Sequence, residues 1–65
     1  MKIFVNNQEK TVVEGCTVKN LLKSMELTSS VAIWINDLQL LQGDYPTYIL
    51  KEGDKVKIFK PMGGG

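Results

Sequence analysis

The sequence predicts an α+β fold in which one short helix covers one face of a mixed sheet of four or five strands. Two segments, residues 1–6 and 55–60, alternate apolar and polar positions as strands do. Between them, one segment carries apolar residues at the i, i+3, i+4 and i+7 spacing of a helix face. A helix of about two and a half turns is not stable by itself, so it must lie against the sheet. Its apolar positions are Val18, Leu21, Leu22 and Met25.

The chain opens with a predicted β-hairpin. Its first strand, residues 1–6, leads into a polar turn at residues 6–9 that is rich in turn-forming residues. The second strand, residues 10–14, is β-branched at three consecutive positions. Gly15 then breaks the strand, and Thr17 is a candidate N-cap for the helix.

Two further strands follow the helix. Residues 31–36 are the most apolar strand, whereas residues 38–50 lack a clear period and predict a loop with at most a short strand or one helical turn. A tight turn at residues 52–54 leads into the last strand, and Pro61 ends its pairing because proline has no N–H. We expect the loop to be held down by Leu40, Leu41, Tyr45, Tyr48, Ile49 and Leu50.

The inward positions of these strands define the expected core. All are apolar, and those of the first, third and last strands come in pairs two positions apart, as the two-residue period of a strand requires. We expect the helix to face Ile3, Val5, Val13, Ile33, Ile35, Val56 and Ile58.

Composition argues against several classes of function. The 65 residues suit one small domain, and eight basic and seven acidic residues give a net charge of only +1, so we expect no nucleic-acid binding. No apolar run approaches the ~20 residues of a membrane span, and the first residues lack a signal-peptide pattern. With one cysteine and no histidine, the chain lacks the usual catalytic and zinc-binding sets. We expect a cytoplasmic protein that is not an enzyme and binds no metal.

The glycines at the end of the sequence are the strongest functional signal. Gly63, Gly64 and Gly65 have no residue after them in the sequence, so they close no turn, and glycine loses the most conformational freedom on ordering. We therefore expect a domain of residues 1–60 with a flexible tail of residues 61–65. Such a tail can be threaded into a narrow site on another protein, where it presents the carboxylate of Gly65.

Three aromatic residues form a second candidate site. Phe4, Trp34 and Phe59 each lie on the strand face opposite the inward set, so we expect them to meet on the outer face of the sheet. Either this cluster binds a partner, together with Met62 beside the tail, or the loop at residues 38–50 partly covers it, or the three residues are scattered exposed apolar side chains without a function.

Cys16 and a short run of lysines leave two further alternatives open. Cys16 precedes the helix, where a thiolate would be stabilised, or it fills a small apolar space. Lys55, Lys57 and Lys60 are a solvated strand edge or steer the protein towards an acidic partner.

Two segments near the end of the sequence are Glu52-Gly53-Asp54-Lys55-Val56-Lys57-Ile58 and Pro61-Met62-Gly63-Gly64-Gly65. Together with the order of the elements, they resemble the ubiquitin-like sulfur carrier proteins, and among them the thiamine-pathway carriers of the ThiS family. The resemblance covers the whole chain and implies a β-grasp fold, in which the last strand lies between the first and the third. This sequence differs from similar carriers at two places. It has Asn36-Asp37 where they often have Asn-Gly, and Leu41-Gln42 where they often have Pro-Arg.

The resemblance also implies a mechanism and its partners. The Gly65 carboxylate would be adenylated with ATP by a partner enzyme of the ThiF/MoeB type and converted to a thiocarboxylate with sulfur from a cysteine-desulfurase-type donor. A thiazole-synthase-like acceptor would then take the sulfur for the thiazole of thiamine. The carrier itself would be a monomeric protein co-substrate without a permanently bound cofactor. The alternatives are a carrier for a molybdopterin or cysteine-type pathway, and a ubiquitin-like binding module with an inert tail.

Overall fold

The structure, a computed structural model, describes residues 1–60, which form five strands and one α-helix. The predicted flexible tail, residues 61–65, lies outside the described residues. The elements in chain order are β1 (Lys2–Val5), β2 (Gln8–Thr11), α1 (Val18–Ser24), β3 (Ala32–Ile35), β4 (Leu38–Leu40), a short 3-10 helix (Gln42–Asp44) and β5 (Lys55–Phe59).

The last strand lies at the centre of the sheet. The five strands are ordered β2-β1-β5-β3-β4, so β5 pairs with β1 on one side and with β3 on the other. The β1–β5 pair is parallel and the β3–β5 pair is antiparallel. This mixed sheet confirms the expected fold and the expected central position of the last strand.

Both hairpins close through two-residue turns with positive backbone φ. Asn6 and Asn7 have φ of 50° and 70°, and Asn36 and Asp37 have φ of 50° and 72°. Two successive positive φ values are typical of the type I′ turn that suits the twist of a hairpin, and Asn and Asp tolerate this region better than other side chains. Because the first turn has two residues, β2 begins at Gln8, and the expected turn at residues 6–9 is too long.

The pairing register of β1 and β2 explains why one residue of the expected core, Val13, is not buried. Ile3 pairs with Lys10, so Lys10 lies on the core face and Val12, two residues further on, lies on the same face. Val12 is indeed partly buried against the core. Val13 therefore points away, and its side chain is 75% exposed instead of facing the helix. The predicted strand at residues 10–14 was placed too far along the chain.

The helix forms as the pattern predicted. Thr17 is its N-cap: the side-chain Oγ1 accepts a hydrogen bond of 3.1 Å from the backbone N–H of Asn20. Val18, Leu21 and Leu22 are buried, and Met25 packs partly buried against the same core.

A tyrosine holds the loop after β4 onto the domain. Tyr45 is 1% exposed, and its hydroxyl donates a 2.9 Å hydrogen bond to the carbonyl of Val31, just before β3. Tyr48 is partly buried against the same core. Both tyrosines therefore pack the loop down, as expected.

Only part of the apolar set in this loop reaches the core. Leu50 is buried and Leu40 is partly buried, whereas Leu41 and Ile49 are 69% and 55% exposed. Leu40 and Leu50 each lie next to one of these exposed residues in an extended segment, where neighbouring side chains point to opposite sides. The expectation that Leu41 and Ile49 hold the loop down was wrong for this reason.

Replacement of Leu22 by alanine tests the helix–sheet packing. Leu22 is 2% exposed, so we expect the Leu22→Ala variant to lose about 2–5 kcal/mol of unfolding free energy through lost burial and a cavity. Chemical denaturation measures this loss. The same change at Leu38, which is 76% exposed, is the control and should cost under about 0.5 kcal/mol. Equal losses in the two variants would mean that the helix does not cover the sheet as described.

Candidate functional site

The outer face of the sheet, on the side opposite α1, carries a pair of aromatic rings. The centroids of Trp34 and Phe59 are 5.2 Å apart and their planes meet at 84°, an edge-to-face arrangement that aromatic rings favour. The β3–β5 register produces this contact: Ala32 pairs with Phe59 and Trp34 pairs with Lys57, so the two rings are diagonal neighbours. Phe59 remains 55% exposed, so the loop at residues 38–50 does not cover it.

Phe4 shares this outer face but lies at its other end. It pairs with Lys55, four residues before Phe59 on β5, and lines a depression together with Asn7 and Lys55. The expected meeting of all three aromatic side chains therefore holds for Trp34 and Phe59 and was wrong for Phe4. Lys57, the outward residue of β5 between Lys55 and Phe59, lies between the two ends of the face.

A shallow cleft of about 380 Å³ lies beside the aromatic pair. Trp34 and Phe59 form its apolar walls, and Asp37 and Lys57 form its polar side. The Lys57 Nζ lies 3.8 Å from the Asp37 Oδ1, but both side chains are largely exposed, so this ion pair contributes little stability. The cleft thus combines an exposed aromatic surface with charges of both signs.

The lysines of β5 do not make the outer face uniformly basic. Lys55 and Lys57 point outward, yet Asp37 lies beside Lys57, and a second ion pair joins Lys2 to Glu9 at 3.3 Å. Charges of opposite sign therefore alternate across the face. This distribution suits a specific protein contact better than a polyanion.

Two asparagines that begin the hairpin turns hold the two ends of β5, a role that the sequence did not reveal. Asn36 accepts a 3.0 Å hydrogen bond from the Lys55 N–H through its Oδ1, and its own N–H donates to the Lys55 carbonyl at 2.8 Å. Asn6 accepts a 2.8 Å hydrogen bond from the Ile58 N–H through its Oδ1. The signal that could have revealed these contacts is the same Asn at the first position of both hairpin turns.

The start of β5 is further fixed by a buried carboxylate. Asp54 is 6% exposed and accepts hydrogen bonds from the Asn36 Nδ2 at 3.0 Å and from the Lys51 N–H at 2.8 Å. A buried carboxylate is tolerated when its oxygens are hydrogen-bonded in this way. The turn before β5 is thus tied to the turn after β3.

Cys16 is a packed side chain rather than an exposed nucleophile. It is 6% exposed, and its Sγ donates to the carbonyl of Thr17 at 3.4 Å. Burial raises the pKa of the Cys16 thiol above its usual value, and the nearby charge of Lys10 only partly opposes this shift. Since the thiolate is the reactive form, the geometry supports the small apolar filler of the two alternatives.

Residues 1–60 contain neither a metal-binding cluster nor a helix that could cross a membrane. No group of three metal-ligating side chains comes together among these residues. The helix they contain is too short and too polar to cross a membrane. The remaining candidate residues, Met62 and Gly63 to Gly65, lie outside the described residues.

Comparison with known proteins identifies the family. The model of the ThiS family matches residues 1–65, the full length of the chain, including its final glycines. The chain belongs to the ThiS family. Proteins of the ThiS family are sulfur carriers and not enzymes.

Solved structures of a ThiS protein share the fold. The crystal structure of the thiamine biosynthesis protein ThiS from Geobacter metallireducens is 29% identical, with each chain fully covered and a TM-score of 0.85. The solution structure of a thiamine biosynthesis protein from the same organism is also 29% identical, with a TM-score of 0.81, all of this chain covered and 88% of the other. The chain has no significant match among curated proteins.

The buried Cys16 predicts a loss of stability at alkaline pH. Its pKa is raised in the folded state, so the unfolded state releases the thiol proton first as the pH rises. The stabilisation that the protonated thiol contributes is fully present below its pKa in the unfolded state, near the ordinary value of 9.0, and is lost as the pH rises through the raised pKa of the folded state. Denaturation curves at pH 7 and at about pH 10 should therefore show a larger decrease for the wild type than for Cys16→Ala. An identical decrease in both proteins would contradict this assignment.

Proposed function

We propose that this protein is a sulfur carrier whose Gly65 carboxylate is activated and converted to a thiocarboxylate, which donates sulfur for the thiazole of thiamine. The family match across residues 1–65 is the observation that carries the proposal, because it includes the terminal glycines. The likeness to the Geobacter ThiS over the full length of both chains supports the thiamine pathway. The protein acts as a co-substrate, and the catalytic groups belong to its partners.

The chemistry follows from the poor reactivity of a carboxylate. With a pKa near ~3.5, the terminal carboxyl is an anion at neutral pH and a weak electrophile. It can attack the α-phosphorus of ATP, which releases pyrophosphate and leaves an acyl adenylate. A persulfide then attacks the carbonyl carbon and displaces AMP, and a thiol cleaves the resulting S–S bond to leave the thiocarboxylate. An adenylating enzyme of the ThiF type supplies the charges that stabilise the phosphoryl-transfer step.

In this proposal the domain serves as a handle for the tail. Of the aromatic pair, Phe59 is the last residue of the central strand β5, which precedes residues 61–65 in the sequence, and Trp34 lies on the neighbouring strand β3. A fully extended segment of five residues spans about 16 Å, at about 3.3 Å per residue. The outer face can therefore dock outside a deep site while Gly65 reaches the chemistry inside it. Phe4, at the other end of the face, and Met62, at the start of the tail, extend the proposed contact.

The proposed partners are the three proteins that this sequence of reactions needs. They are the ThiF-type adenylating enzyme, a cysteine-desulfurase-type sulfur donor and a thiazole-synthase-like acceptor. No cofactor is bound permanently, since ATP is used by the partner. A binding module with an inert tail is the competing function, and it differs in one measurable property: it keeps its activity after Gly64 and Gly65 are removed.

Mass spectrometry of the protein from its own cells tests the proposal. We expect a fraction in which one terminal oxygen is replaced by sulfur, and an adenylate when the purified protein is incubated with an adenylating enzyme and ATP. Deletion of Gly64 and Gly65 should abolish both.

We expect Gly64→Ala to leave the unfolding free energy unchanged yet slow adenylation, because a methyl group widens a segment that enters a narrow site. If Gly64→Ala is adenylated as fast as the wild type, the threading of the tail is wrong.

Replacement of Trp34 by alanine tests the docking face separately from the tail. Loss of a large exposed ring from a contact centre should weaken binding to the adenylating enzyme by about tenfold or more. The KM for the carrier should rise while kcat at saturation stays near the wild-type value. Ile49→Ala is the control, because Ile49 is an exposed apolar residue whose backbone pairs with Thr17, the N-cap of α1, and not with a strand of the outer face. Equal KM values for both variants would place the docking surface elsewhere.

A further inference from the structure

Strand β1 is too short to support the whole of β5. Phe4 and Val5 pair with Lys55 and Val56, and the N–H of Asn6 donates to the Val56 carbonyl at 2.8 Å. The chain then turns away into β2. On this side, β5 therefore runs past the end of β1, and within residues 1–60 the last residues of β5 pair with a strand only on the β3 side, where Phe59 pairs with Ala32.

The side chain of Asn6 occupies the place where β1 would have continued. Its Oδ1 accepts from the Ile58 N–H at 2.8 Å, and its Nδ2 donates to the Ile58 carbonyl at 3.4 Å. A carboxamide carries the same donor and acceptor as a peptide group, so one side chain reproduces one further ladder position. Ile58 is in register with Ile33 of β3, and its N–H and carbonyl bond on the opposite side of β5, to the Asn6 side chain.

Asn36 makes the corresponding contact at the opposite end of β5. It too is the first residue of a hairpin turn with a φ of 50°, and its Oδ1 accepts from the Lys55 N–H at 3.0 Å. It also donates to the buried carboxylate of Asp54 at 3.0 Å. The two asparagines thus have the same backbone geometry and the same kind of contact, but only Asn6 acts at the end from which residues 61–65 continue.

We propose that Asn6 is a positioning residue for the carrier tail: its carboxamide holds the end of β5 in line, so that the tail starts from a fixed point relative to the docking face. This inference rests on the proposed carrier function. A reacting group must be placed within a fraction of an ångström for efficient transfer, and a misplacement of about 1 Å can cost about a hundredfold in rate. Lys60 and Pro61 follow Ile58 closely in the chain, so a shift of the strand end is passed on to the tail.

The test compares Asn6→Gly with Asn36→Gly. Glycine adopts a positive φ readily, so both variants keep their turns and lose only the carboxamide. The measurements are the unfolding free energy, hydrogen exchange of the Ile58 amide, and adenylation kinetics with a ThiF-type enzyme and ATP. For Asn6→Gly we expect the Ile58 amide to exchange about tenfold faster and kcat to fall about tenfold, the effect of about one hydrogen bond. The KM should stay within about twofold of the wild type, because Trp34 and Phe59 remain in place.

Asn36→Gly should lose at least as much stability, since it also deprives Asp54 of a partner, yet keep kcat within about twofold of the wild type. Asn6→Asp, which keeps the acceptor for the Ile58 N–H but not the donor, should show a smaller fall in kcat than Asn6→Gly. If the wild type is adenylated and both glycine variants lose kcat equally, Asn6 has only a structural role and the inference is wrong. If the wild type itself is not adenylated, the proposed carrier function fails and the role of Asn6 fails with it.

Discussion

The whole structure depends on the insertion of β5 between β1 and β3. Without this strand the sheet that residues 1–60 form would divide into two separate hairpins, β1–β2 and β3–β4, because β5 is the strand that pairs with both β1 and β3. The parallel pairing of Phe4 with Lys55 joins segments about fifty residues apart in the chain. Closing such a distance costs conformational entropy before any contact forms, so the pairing must be supported by burial of the inward side chains Val56 and Ile58. The five-stranded sheet is therefore complete only when its last strand has paired on both sides.

This arrangement places the functional end of the protein on its most strongly held element. A central strand is hydrogen-bonded on both sides and opens only with the global unfolding of the domain, whereas an edge strand can open locally. In β5 the inward residues secure the strand to the core, and the outward Phe59 contributes to the exposed aromatic pair with Trp34. The same five residues therefore provide stability, part of the proposed docking surface and the attachment of the tail in the sequence. A carrier with no catalytic groups of its own needs these three properties.

The likeness to the Geobacter ThiS shows which features of the chain matter for the fold. With 29% identity, most side chains differ, yet the TM-score of 0.85 shows that the backbone is retained. The fold of this chain rests on three sequence patterns: alternation of apolar and polar residues in the strands, one apolar stripe on α1, and turn residues that accept a positive φ. Asp37 stands where similar carriers often have glycine. The turn tolerates it, because Asp also adopts the left-handed region at a modest cost. The buried Tyr45, whose hydroxyl bonds to Val31, shows how a poorly patterned loop is still fixed by one well-placed side chain.

Local periodicity and turn chemistry by themselves determined the class of fold, the helix with its Thr17 cap, and the inward faces of β1, β3 and β5. These features depend on neighbours in the chain, so they can be predicted from spacing alone. The exposure of Val13 could not be predicted from spacing, because it depends on which residue of β2 pairs with Ile3. That register is set by a turn only two residues long. The separation of Phe4 from the other aromatics likewise follows from strand register, which a one-dimensional pattern does not contain. The contact between Asn6 and Ile58 joins residues 52 positions apart, and only the parallel pairing of the first and last strands brings that carboxamide to the end of β5.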